Sequence, residues 1–284
     1  MQRRRLKLSA LLGLLLLAAY LAHRPHESQS QLDTRLASIV AAQPETIVDC
    51  TSMLHPRPLV LLALGQSNAG NHGSLSKSEE APIAMLTGTD CVETNDPLPG
   101  ATGRGGSIWR HLPALLNEGL AGRKVLISVL AVDATTIDDW TRPGSRLRAR
   151  LVAQIQALKR HGLKPDFVLW QQGEADALNG TTSSAYLKGL DQLAAILDQT
   201  GVGAPLVLAR STVCRTHPGA DVRGAIDQAV AGNPRFLLGP DTDSLLGDMY
   251  RSDGCHLNAS GLKNAAKAWA LVLKMLAFGT PYAA

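Results

Sequence analysis

Along the 284 residues the apolar positions follow two rhythms. Short runs at residues 58–64, 124–132, 166–170, 206–210 and 236–238 are rich in Val, Leu and Ile, carry no charge inside, and are bounded by turn residues, the mark of buried strands. Between them lie stretches of helical spacing at 108–120, 145–161, 184–197, 222–231 and 262–278. In the second of these Leu147, Leu151, Ile155 and Leu158 fall on one face. Strand and helix alternate, which predicts an α/β fold: a three-layer α/β/α sandwich around a central parallel five-stranded sheet. The domain is expected to run from 45 to 284, without internal repeats. The long connection from 70 to 106 is rich in Gly, Pro, Ser and Thr, and a loop of that length is expected to wall a substrate cleft.

The amino terminus departs from this pattern. Residues 1–7 are cationic and residues 8–22 form an uncharged apolar run, the layout of a secretory signal. Small residues do not fall at both positions that a cleavage site needs, so residues 1–22 read either as a signal peptide or as an uncleaved anchor attaching the chain to a membrane. Residues 23–44 read as a polar linker. Export to a periplasmic or extracellular space is the expectation. The cationic start also accounts for the net charge of +4, because Arg3, Arg4, Arg5 and Lys7 supply the whole excess of 28 basic over 24 acidic residues. The body is neutral and lacks a basic stripe, which argues against nucleic acid as a partner. With 45% hydrophobic and 18% charged residues the chain has enough apolar material for a packed core.

Four cysteines in an exported chain are expected to pair. Three connectivities are open. The favoured one joins Cys50 to Cys91 and Cys214 to Cys255, since each pair links ends of loops on one predicted edge of the sheet. None forms a C-x-x-C pair or has a His at metal-ligand spacing, so zinc has little support.

In open parallel sheets ligands collect beyond the carboxyl ends of the strands. Three clusters stand there: Gly65-Gln66-Ser67-Asn68-Ala69-Gly70 after the first strand, Gln171-Gln172-Gly173-Glu174-Ala175-Asp176 after the third, and Asp253-Gly254-Cys255-His256 before the last helix. Each alone is a weak signal: a Gly-rich turn, strand-end polar residues, a surface Asp beside a capping His. Their joint order points to a serine hydrolase. A serine hydroxyl becomes a nucleophile when an imidazole takes its proton, and a carboxylate fixes the tautomer of that imidazole. Ser67, His256 and Asp253 fill these roles, with the Ser67 N–H and the Gln172 amide as candidate donors to the oxyanion.

These blocks resemble the SGNH hydrolases, and within them the sialate O-acetylesterase-like, carbohydrate-esterase branch, over about residues 58–275. The resemblance implies a flavodoxin-like sandwich, hydrolysis of O-acetyl esters on a carbohydrate through an acyl-enzyme, and no metal or organic cofactor. It carries Ser67 as nucleophile, Gln172 in the oxyanion hole, and Asp253 with His256 as the remaining catalytic pair. Glu174 either supports the site or rivals Asp253 as the partner of the histidine, and Asp253 is favoured.

One block departs from the family. Where two glycines usually follow the second strand, this chain has Asp133 and Ala134. A backbone N–H survives at both, so Asp133 and Ala134 remain candidate oxyanion donors. A positive φ is less suited to Ala134, and a carboxylate at Asp133 is harmful if it points inward. Two rival readings therefore stand beside the esterase: an O-acetyltransferase on the same scaffold, and a carbohydrate-binding protein with impaired catalysis. Four tryptophans are candidates for stacking on a sugar, with core packing the plainer role for Trp170 and Trp269. Arg104 and Arg251 are candidates for meeting an anionic sugar, and His72 for touching substrate. The acidic group at Asp241, Asp243 and Asp248 lacks the ligand pattern of a calcium loop.

Overall fold

The computed structural model describes residues 29–75, 81–117, 120, 122–215 and 219–278. The chain divides into two compact units, residues 1–34 and 35–284. In the first, only residues 29–34 are described, and they are helical, opening α1 (Gln29–Ala37). The apolar run at 8–22, with its signal and anchor readings, lies outside the described residues. Among the described residues no helix is long and apolar enough to cross a membrane.

The second unit is an α/β structure around one sheet. All five expected strands are present, as β2 (Leu59–Gly65), β5 (Val125–Ala131), β6 (Phe167–Gln171), β7 (Leu206–Arg210) and β8 (Phe236–Asp241). They pair in parallel in the order β5-β2-β6-β7-β8. The expectation of five strands is corrected to eight. Beyond β5 lie β3 (Ile83–Thr87), β4 (Asp90–Thr94) and β1 (Ile47–Val48), with the β1–β4 and β3–β4 pairs antiparallel, so the sheet is mixed. The hairpin was hidden in the connection at 70–106 because each of its strands is only five residues long and the second is largely polar. In that second strand Asp90 and Glu93 face solvent while Cys91 and Val92 are buried, so it lacks the continuous apolar run of a doubly covered strand. A two-residue turn at Gly88 and Thr89 joins them, with Gly88 at φ 56°.

Every residue of β2 is buried. Strand alternation sends Leu59, Leu61 and Ala63 to one face, where they join a core with Trp109 and with α3 (Leu112–Leu116) and α9 (Ala259–Phe278) through Leu112, Leu116 and Trp269. Val60, Leu62 and Leu64 point to the other face, on the side of α4 (Ile137–Thr141), α5 (Arg146–Arg160), α7 (Ser183–Gln199) and α8 (Ala220–Gly232). Each buried Leu or Val contributes about 1.5–3 kcal/mol, so this central strand anchors the unit. The segment after residue 35 is stitched to the same unit: Val40 N–H donates to Ala101 O, Gly100 N–H to Val40 O, and the Arg104 guanidinium to Ser38 O.

The disulfides pair as expected. Cys50, just before α2 (Thr51–Leu54), joins Cys91 in β4, and Cys214, beyond β7, joins Cys255, ahead of α9. Pairing of all four cysteines fits maturation in an oxidising, extracytoplasmic compartment.

Gly65 closes β2 at φ 153°, and a β-carbon there would lie 2.1 Å from Gln171 O and 2.8 Å from the Ala69 β-carbon. Gly65→Ala is expected to cost at least about 3 kcal/mol in urea unfolding, because the obstacle is backbone. Gly88→Ala, with open space around the added carbon, is expected to cost only the left-handed strain of about 1 kcal/mol.

Candidate active site

The site is built where three strand ends are level. In the parallel ladders Gly65 stands opposite Ala131 on one side and Gln171 on the other. The chain passes from β2 to β5 and returns to β6 across β2, so the strand order reverses here, the place where open α/β sheets leave a crevice. The turns that follow β2, β5 and β6 carry the Ser67, Asp133–Ala134 and Gln172 blocks, while Asp253 and His256 lie on the loop ahead of α9.

After β2 the chain closes a 3-10 turn, Ser67–Ala69, through Ala69 N–H to Gln66 O and Gly70 N–H to Ser67 O. Ser67 opens that turn, so its own N–H has no partner within it. Ser67 is only 4% exposed. Its neighbour Asn68 reaches across 187 positions of sequence: Nδ2 donates to Cys255 O at 3.1 Å, and Oδ1 accepts from Leu257 N–H at 3.2 Å. These two bonds grip the backbone on either side of His256. Ser74 N–H adds a bond to Leu257 O, and the Cys214–Cys255 bridge ties the same loop to the segment after β7. Ser67 and the His256 imidazole therefore share one rim of the sheet.

Asp253 is bound to His256 directly. Its Oδ2 lies 2.7 Å from His256 Nδ1, while Oδ1 accepts the N–H groups of Cys255 at 2.9 Å and His256 at 2.6 Å. Partial burial pushes its pKa up, but the His256 N–H, the ring and the Cys255 N–H outweigh that and hold it at about 2. The carboxylate is thus charged at neutral pH and fixes Nδ1 as the protonated nitrogen, leaving Nε2 as the basic one. Glu174, the rival, sits elsewhere: its Oε1 accepts from Asn68 Nδ2 and Ser211 Oγ, both at 2.7 Å. It is 1% exposed, burial pushes its pKa up against those hydrogen bonds and the nearby Arg251, and its Oε2 has no hydrogen-bond partner. Glu174 supports the asparagine rather than the histidine.

Gln172 differs from its expected part. Its Nε2 donates to Asp176 Oδ2 at 2.6 Å and to Thr135 O at 2.9 Å, and its Oε1 accepts the Tyr186 hydroxyl at 2.8 Å. The amide is fully buried, with both protons engaged in joining the turns after β5 and β6. In the second block the two candidate donors also part company. Asp133 N–H donates to Thr102 Oγ1 at 2.9 Å, whereas Ala134 adopts φ 51°, the conformation a glycine would take with ease.

Several neighbours make contacts that the sequence did not assign to them. Asp176 accepts from Gln172, from Thr181 Oγ1 at 2.8 Å and from Ile137 N–H at 2.8 Å; burial, its largest influence, raises its pKa to about 6 despite these bonds. Gln66 Oε1 accepts from Ala175 N–H at 3.0 Å. His72 stacks on His256 with ring centroids 5.6 Å apart, and burial pushes its pKa down, opposed by Asp133 and assisted by His256. Arg251 is not a surface group. It is 1% exposed and donates to the carbonyls of Leu245, Thr242, Val213 and Cys255, bracing the histidine loop from below. All four tryptophans are fully buried and serve the core. Asp241 and Asp243 pair with Arg223.

Residues 109–235 match the family described as "Carbohydrate esterase, sialic acid-specific acetylesterase". No curated protein matches the sequence. Among solved structures, a protein of Arabidopsis thaliana superposes with a TM-score of 0.61 at 20% identity, covering 76% of this chain and 97% of its own. NanS gives 0.55 at 16% identity, with coverages of 78% and 98%. Est24, a carbohydrate acetylesterase from Sinorhizobium meliloti, gives 0.50 at 15% identity, with 76% and 99%. The family match lies within residues 109–235, and the superposed structures share the fold of this chain.

The raised pKa of Asp176 makes a stability prediction. Between about 3.8 and about 6 the folded chain holds a proton that the unfolded chain has released, so this group's contribution to stability falls as pH rises through that window. Relative to Asp176→Asn, the wild-type chain is expected to lose up to about 3 kcal/mol of unfolding free energy between pH 4 and pH 7. Urea titrations of both proteins across that range check it; a difference that stays flat with pH contradicts the assignment.

Proposed function

We propose that this chain, a hydrolase of the carbohydrate-esterase type, removes O-acetyl groups from a carbohydrate through an acyl-enzyme formed on Ser67. The observation that carries this reading is the Asn68 clamp: the residue next to the nucleophile holds the backbone on both sides of the histidine that Asp253 orients.

In the first half-reaction Ser67 Oγ attacks the acetyl carbon while His256 Nε2 takes the hydroxyl proton. The C–O bond to the sugar then breaks, and His256 returns that proton to the departing sugar oxygen. In the second half, water attacks the acetyl-serine, again losing its proton to Nε2, and acetate leaves as Ser67 regains its hydrogen. Asp253 stays anionic and stabilises the imidazolium formed in each half. Negative charge on the carbonyl oxygen calls for donors at the strand ends. The N–H of Ser67 and that of Ala134 are the best placed in this reading, since Gln172 is engaged below them. Ala134 keeps a glycine-like conformation without a glycine, which favours a working site over a binding protein with lost activity. The half-exposed edge of His256 leaves water a path to the intermediate, and this favours hydrolysis over transfer to a second sugar. The cationic and apolar start supports export, with residues 8–22 available as an anchor.

Acetate release from a panel of acetylated polysaccharides, and turnover of p-nitrophenyl acetate, test the reading. Ser67→Ala and His256→Ala are each expected to lower kcat by at least about 10³-fold with folding intact. Variants as active as the parent would end the proposal. Asn68→Ala is expected to cut kcat about tenfold or more with a smaller change in KM, because it frees the histidine loop without touching substrate; unchanged kcat contradicts the clamp.

A further inference from the structure

The replacement of two glycines by Asp133 and Ala134 puts a carboxylate on the turn that the proposed mechanism uses for an oxyanion. Like charges on one turn oppose each other. The structure gives that carboxylate two companions. Oδ2 lies 3.7 Å from Arg35 Nε, and Oδ1 lies 3.9 Å from His72 Nε2. The histidine is the weaker counter-charge, since burial favours its neutral form and the ring stacks on His256. Arg35 is a permanent cation, and its Nη1 also donates to Ala134 O at 3.3 Å, 99 positions away in sequence. One guanidinium thus meets the side chain of Asp133 and the backbone of the residue after it. Thr102 Oγ1 completes the support by accepting Asp133 N–H at 2.9 Å.

We propose that Arg35 is a positioning residue for the turn at 133–134: it holds and neutralises the Asp133 carboxylate, so that the turn can serve a developing oxyanion without glycines. This rests on the reading that Ser67 is acylated at that turn. It also makes Arg35, inside the stretch 23–44 that the sequence presents as a linker, a working part of the site.

The test is a double-mutant cycle on the full chain with p-nitrophenyl acetate, comparing the parent, Arg35→Ala, Asp133→Asn and the double variant, with thermal melts for each. Arg35→Ala is expected to lower kcat about tenfold with KM changed less than about twofold, whereas the same change in the Asp133→Asn background should lower kcat less than about twofold. That coupling is the signature of charge neutralisation. An equal fall in both backgrounds, which a merely structural arginine would give, overturns the proposal, as does no fall in either. Ser67→Ala is run alongside: undiminished turnover there would remove the underlying esterase reading itself, an outcome distinct from failure of the cycle.

Discussion

Everything at the site depends on the parallel pairing of β5, β2 and β6 in one register. Backbone hydrogen bonds along these ladders set Ala131, Gly65 and Gln171 side by side, so the three turns beyond them start from a common line. Because both faces of β2 are packed, a slip by one residue would exchange its two buried sets and is resisted by the whole core. Gly65 makes the closeness possible: the backbone of Gln171 occupies the space where any side chain would begin. Ser67 near the start of the unit and the turn at 133–134 in its middle are thus placed by the sheet, and His256 near its end is drawn to the same rim by Asn68.

Beneath the turns lies a buried polar layer with two halves. Asn68, Glu174 and Ser211 link the serine turn to the histidine loop, while Gln172, Asp176 and Tyr186 link the turns after β5 and β6. Burying carboxylates is costly, and the upward displacement of the Glu174 and Asp176 pKa values is the sign of that cost. What the cost brings is direction. Buried groups joined by directional hydrogen bonds favour one arrangement, whereas an apolar layer would let the turns slide. Arg251 and the Cys214–Cys255 bridge hold the histidine loop from the remaining side.

The second block illustrates how a local substitution is absorbed by distant residues. A left-handed alanine costs about 1–2 kcal/mol that a glycine would not, and the turn keeps it through contacts to Arg35, Thr102 and Thr135, the last donating its hydroxyl to Val132 O. The aspartate beside it faces a guanidinium and an imidazole on the rim. The turn thus keeps a left-handed residue at Ala134 without a glycine.

Five parallel strands and the helices between them were legible in sequence because a doubly covered strand must be apolar throughout and a packed helix apolar on one face. The joint order of Ser67, the Gln172 block and Asp253 with His256 was legible too, as was the pairing of the cysteines. The hairpin β3–β4 was not, since each strand is only five residues long and β4 is largely polar. The contacts of Asn68, Arg35 and Arg251 could not be read from sequence, because they are hydrogen bonds spanning from 4 to 189 positions, to backbone carbonyls and amides that carry no residue-specific mark. Gln172 had the right chemistry for the oxyanion, and only the folded chain decides that its amide points to Asp176 and Thr135. Sequence determined which elements form and which groups can react, since periodicity and residue type are local properties. Which buried amide or guanidinium meets which carbonyl was decided by the tertiary structure, because that choice is made by the register of strands far apart in the chain.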